Sequence, residues 1–153
     1  MGLGHGMFCF AIAFHEGLQS ALASRTLATC TGLLALSATG FVAAAYFRVP
    51  APDAPEAVRV REGMPHGMCF MVIFVPLIAV LLIAGLRFVT LAAWATFGWY
   101  SIATGAVAVV LIALIFRFGN PQSAVQLGGL FTRLLVIQTF AWHVLLGWRL
   151  AEL

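Results

Sequence analysis

Five stretches of the chain stay predominantly apolar for about 20 residues, the length a helix needs to cross a bilayer, and short polar connections separate them. The pattern predicts spanning helices over about Leu3–Ser24, Thr26–Phe47, Gly67–Phe88, Leu91–Phe118 and Gly128–Leu150. No stretch alternates apolar and polar side chains with the period of two that a membrane strand requires, so helices are the expected spanning form. The longest polar connection, Val49–Gly67, reads VPAPDAPEAVRVREGMPHG and is expected to be a Pro-rich surface loop at about 48–66. A shorter one, Gly119–Gly129, carries an Asn-Pro turn signal.

Small residues mark the faces on which such helices meet. Gly98, Ser101, Gly105 and Ala108 share one face of the fourth segment, and Ala35, Thr39 and Ala43 repeat every four residues in the second. Pro76 lies inside the third segment and is expected to kink it.

Composition decides the solvent. Sixty-three per cent of residues are hydrophobic and only 8% are charged, against roughly 25% charged in a soluble domain. Mean hydropathy is +1.05. The fold class expected is all-α: a polytopic transmembrane helix bundle of about five spanning helices, forming one domain over residues 1–153. Its first partner is the lipid bilayer, with other membrane subunits or a second copy as further partners. A net charge of +3, spread along the chain, is too small to suggest nucleic-acid binding, and no nucleic-acid partner is expected. Arginines do not orient the bundle: Arg48, Arg59, Arg61 and Arg117 fall on one face, and Arg25, Arg87 and Arg149 on the other. Cys9, Cys30 and Cys69 show no CxxC spacing and read as small apolar side chains. The N-terminus lacks the positive region of a cleavable signal peptide.

Candidate chemistry sits where polar groups enter apolar segments. His5, Cys9, Glu16 and Ser20 fall on one stripe of the first helix, and His15 shares its side with Gln19. A carboxylate at mid-bilayer costs about 2.5–3.5 kcal/mol, so this stripe is expected to look into the bundle, with Arg133 or His143 as partners for Glu16. Thr132, Thr139 and His143 share a face of the last segment. Three readings of His143 compete: a neutral packing group, a proton or substrate path, and an axial ligand to haem or a chlorophyll-like pigment. His66 is expected to open the third helix; with Cys69 it makes a His-x-x-Cys pair, too few ligands for a zinc site. His15-Glu16 is followed by Gly-Leu-Gln, so no HExxH motif exists, and no Walker loop or dinucleotide fingerprint occurs.

Four short motifs carry a resemblance: GLGHGMFCF near the start, FRVPAPD after the second segment, MPHGM before the third, and GLFTRLLVIQTFAW near the end. Together they resemble the bacterial integral-membrane family known as domain of unknown function 998, with matches at Leu3–Gly6, Phe47–Asp53, His66-Gly67 and Gly129–Arg133. The resemblance implies a short form lacking the family's usual first helix and residence in the bacterial cytoplasmic membrane. Phe70 stands where that family places a second histidine. The leading functional expectation is a small non-catalytic bundle, the subunit or stabiliser of a membrane assembly, with no cofactor. The alternatives are a transporter-like or lipid-handling protein using Glu16 and His143, and a haem- or pigment-binding subunit ligated by His15, His66 or His143.

Overall fold

A computed structural model describes residues 2–47, 55–119 and 127–152. They form five α-helices and no strand: α1 (Gly2–Leu18), α2 (Ser24–Ala44), α3 (Glu56–Val89), α4 (Ala95–Phe118) and α5 (Gly128–Ala151). A single 3₁₀ turn, Ala92–Trp94, leads into α4. The all-α membrane bundle expected from the sequence is therefore the observed fold. Four of the helices, α2 to α5, are long and apolar enough to cross a membrane. At 17 residues α1 is shorter; at 1.5 Å per residue it reaches about 25 Å.

Two boundaries differ most. α1 ends at Leu18 and not near Ser24; α3 begins at Glu56 and not near Gly67, so most of the expected loop is helical and His66 lies well inside the helix. Residues 48–54 and 120–126, within the two expected loops, lie outside the described residues. The reason for the early start is local. The three prolines at 50, 52 and 55 all precede the helix, where a missing N–H costs nothing. Pro55 still contributes its carbonyl, which accepts from Val58 N–H at 2.9 Å. Glu56 then complements the positive helix terminus. Pro65 and Pro76 sit inside α3, removing the N–H groups that would pair with the Arg61 and Val72 carbonyls.

The chain divides into two compact units, Met1–Val80 and Leu81–Leu153, a division that length alone does not anticipate. In the first, α1 and α2 form an antiparallel hairpin. Gly4 abuts Val42 and Ala38 at one end, and His15 meets Thr31 toward the other. The packed face of α1 is Met7, Ala11, Phe14 and Leu18, which alternate by four and three residues. α2 answers with Leu27, Cys30, Leu34 and Ser37. Gly40 presses on α3: a Cβ there would lie 2.8 Å from Ile73 Cγ1 and 3.0 Å from its backbone nitrogen.

In the second unit α4 and α5 pair antiparallel, tied by Gln138 to Thr104, Trp142 to Ser101 and Arg149 to Ala93. The expected small-residue face is the packed one, with Gly98, Ser101, Gly105 and Ala108 all buried. A Cβ on Gly98 would meet Val89 N at 2.5 Å and Gly85 O at 2.9 Å, and one on Gly105 would meet Leu82 Cδ2 at 2.7 Å. The corresponding expectation for α2 is corrected: Thr39 is exposed and Ala35 and Ala43 are half-buried.

Three signatures occur twice along the chain in the same order. His5-Gly6-Met7 recurs as His66-Gly67-Met68. Ala38-Thr39-Gly40 with Val42-Ala43 recurs as Ala103-Thr104-Gly105 with Val107-Ala108. Phe47-Arg48 before Pro50 recurs as Phe116-Arg117 before Pro121. The structure gives the repeat physical content. Gly40 and Gly105 both press against α3, and Thr39 and Thr104 each donate a hydroxyl to the carbonyl four residues back, at 2.9 and 2.8 Å.

Gly98→Ala is expected to lower stability by about 1–3 kcal/mol, because its Cβ meets backbone that cannot step aside. Gly147→Ala, with nothing within 4 Å of its Cβ, should change stability by less than about 0.5 kcal/mol. Thermal unfolding of the two variants in one detergent makes the comparison.

Candidate functional site

The polar stripe of α1 does not look into a core. His5, Cys9 and Glu16 are exposed, on the side opposite Met7, Ala11, Phe14 and Leu18. The physical reason lies in where the helix ends. α1 stops at Leu18, where Ala21 and Leu22 N–H groups close onto the Leu18 carbonyl. Glu16 is therefore half a turn from the chain reversal, and His5 lies near the other end. Both therefore lie toward the ends of α1 and not at its middle. Gln19 Nε2 donates to Glu16 Oε2 at 2.9 Å. His15 turns to the hairpin instead and pairs Nδ1 with Thr31 Oγ1 at 3.2 Å.

Arg133 is exposed near the start of α5. Like His143 it belongs to the second unit, whereas Glu16 belongs to the first. His66 is half-buried, and its Nδ1 is buried with no hydrogen-bond partner among the described residues. No group of three or more His, Cys, Asp or Glu side chains that could hold a metal forms among the described residues.

His143 is the buried histidine. Its Nδ1 pairs with the Thr139 carbonyl at 2.7 Å, and its ring stands edge-on to Trp142 at 5.2 Å and against Phe140 at 6.0 Å. Around it runs a set of polar groups that sequence reasoning missed. Trp142 is fully buried and donates its indole N–H to Ser101 Oγ at 2.8 Å. Ser101 in turn donates to the Phe97 carbonyl at 2.8 Å. One turn deeper, Gln138 Nε2 reaches the Thr104 carbonyl at 3.4 Å. These contacts cross from α5 to α4 with side chains that look unremarkable singly. The available signal was Ser101, already marked as a small-face residue.

Two grooves accompany these contacts. In the first unit a groove of ≈ 200 Å³ runs between α2 and α3, lined by Thr39, Ala43, Phe47, Pro65, Met68 and Cys69 among others. In the second a groove of ≈ 720 Å³ opens where the 3₁₀ turn meets the end of α5, with Phe97, Tyr100, Leu145, Trp148, Arg149 and Glu152 in its wall. Neither lining includes His15, His66 or His143.

Ser101→Ala should destabilise by about 1–3 kcal/mol, since it strands the buried Trp142 N–H. Combined with Trp142→Phe in a double-mutant cycle, the coupling should be about 0.6–1.7 kcal/mol, the range of interhelical hydrogen bonds in membranes. Unfolding of the four proteins in detergent reads it out. Comparison of the chain with protein-family models, with curated proteins and with solved structures finds no match.

Proposed function

We propose that this protein is a small non-catalytic subunit or stabiliser of a membrane assembly, resident in the bacterial cytoplasmic membrane, and that the assembly partner packs on α2. The resemblance to the family known as domain of unknown function 998 agrees with the helical architecture and supplies the proposed location.

One observation carries the reading: the two copies of the internal repeat are treated differently. On α4, Ser101, Thr104 and Ala108 form one buried face, and α5 lies on it through Trp142 and Gln138. The matching residues of α2 are Leu36, Thr39 and Ala43. Leu36 is 47% exposed, Thr39 is exposed and Ala43 is half-buried at the groove beside α3. In lipid there is no hydrophobic force to hide an apolar face; what draws helices together is close packing and interhelical hydrogen bonding. The α4 face that α5 covers is built for such packing, and α2 keeps its Thr39 and Ala43 with Leu36 in place of Ser101. The partner is accordingly a membrane-spanning helix of another subunit, bearing an amide or hydroxyl able to reach the Thr39 backbone as Gln138 reaches Thr104.

A photoreactive side chain placed at Leu36 in native membranes should yield one discrete protein adduct. Thr39→Phe should abolish that adduct without changing helicity. The same photoreactive group at Val107, 49% exposed on α4, should give lipid adducts only. A monomer carrying only lipid adducts from position 36 would overturn the assignment.

A further inference from the structure

The larger groove belongs to the second unit. Its position is set by the α4–α5 hairpin. Arg149 Nη2 donates to the Ala93 carbonyl at 2.7 Å, which closes the hairpin at the end away from the Gly119–Gly128 connection. Depth follows from the side chains along α4. From Tyr100 to Arg117 the helix rises about 26 Å, close to the roughly 30 Å of a hydrocarbon core. Tyr100 and Trp148 line the groove, Trp94 lies under the Arg149 guanidinium in its wall, and Trp148 is 69% exposed. Such amphipathic rings settle at headgroup level, so the groove opens into the bilayer interface and not into its centre.

The charges in the wall are one of each sign. Arg149 Nη1 stands 3.6 Å from Glu152 Oε2. Trp148 Nε1 donates to the other carboxylate oxygen at 2.6 Å, holding Glu152 in place. Arg149 is held from two sides, by the Ala93 carbonyl and by the Trp94 ring 5.6 Å below its guanidinium. Both remain about half exposed, with side-chain exposures of 45% and 53%. Below them the wall is apolar, formed by Phe97, Leu145 and the ring of Tyr100. The volume, ≈ 720 Å³, lies within the roughly 300–1,000 Å³ of sites that hold small amphiphilic ligands.

We propose that this groove binds one zwitterionic phospholipid of the bilayer, with its phosphate on Arg149, its ammonium on Glu152 and the upper part of an acyl chain along Phe97 and Leu145. Charge complementarity selects the headgroup. An anionic lipid would satisfy Arg149 but bring its negative charge to Glu152, and the fixed pair has no net charge to favour it. A primary ammonium also fits better than a quaternary one, because it can donate hydrogen bonds to the carboxylate.

Native mass spectrometry of the intact protein in mild detergent, titrated in turn with phosphatidylethanolamine, phosphatidylcholine and phosphatidylglycerol, tests the assignment. One phosphatidylethanolamine should be retained per chain, at least fivefold more tightly than the other two, and the soluble headgroup glycerophosphoethanolamine should not displace it. Glu152→Gln should erase the preference for the ethanolamine headgroup. Arg149→Gln should weaken retention of every phospholipid. Thr96→Trp, which fills the groove from an exposed wall position without touching the charged pair, should abolish retention even if Arg149→Gln fails to fold. Arg117→Gln, on the far end of α4, should change nothing. Equal retention of all three lipids, a preference for phosphatidylglycerol, or retention unaffected by Thr96→Trp would overturn the proposal.

Discussion

Close backbone approach at glycine is the contact on which both units of this protein depend. Gly40 lets α2 reach the backbone of Ile73, and Gly85 and Gly98 let the backbones of α3 and α4 approach each other closely. In lipid this geometry matters more than apolar burial, since the surrounding tails are as apolar as any core. Dispersion at short range is then the main attraction left, and a single added methyl group removes it.

Hydrogen bonds do the rest within the limits the solvent sets. A hydroxyl in a membrane helix has no water to turn to, and Thr39, Ser101, Thr104, Thr132 and Thr139 all donate to a carbonyl in the preceding turn. Ser101 then has its oxygen free to accept from Trp142. That second step turns a locally satisfied hydroxyl into a tie between helices. In the first unit His15 and Thr31 make the comparable tie across the α1–α2 hairpin.

The repeated signatures make α2 and α4 comparable, and their difference is informative. Gly40 and Gly105 both meet α3, which follows α2 in the first copy and precedes α4 in the second; the hydroxyl-to-carbonyl bonds of Thr39 and Thr104 are what both copies share. The outer faces diverge, because the second copy has α5 lying on it. Leu36 on α2 occupies the place of Ser101 on α4, so the buried hydroxyl that receives Trp142 has no counterpart in the first copy. The larger groove likewise draws on α5, whose last turn brings Arg149 to the 3₁₀ turn.

Much of the fold was legible in the residues. The spans, their helical form and the packed face of α4 follow from segment length, composition and the Gly98–Ala108 spacing. Each rests on a local cost: a backbone polar group in hydrocarbon must be paired, and a large side chain cannot sit where two backbones meet. The early start of α3 was misread because the prolines before Glu56 mark a helix beginning as readily as a loop. The site was less legible. Which side of α1 packs, that Glu16 ends near the chain reversal, that Trp142 finds Ser101, and that Arg149 reaches the Ala93 carbonyl beside a groove were decided only by tertiary structure. The reason is the solvent. In water, hydrophobicity tells inside from outside; in lipid both sides of a helix meet apolar surroundings, and only the shape and hydrogen bonds of a neighbouring helix choose between them.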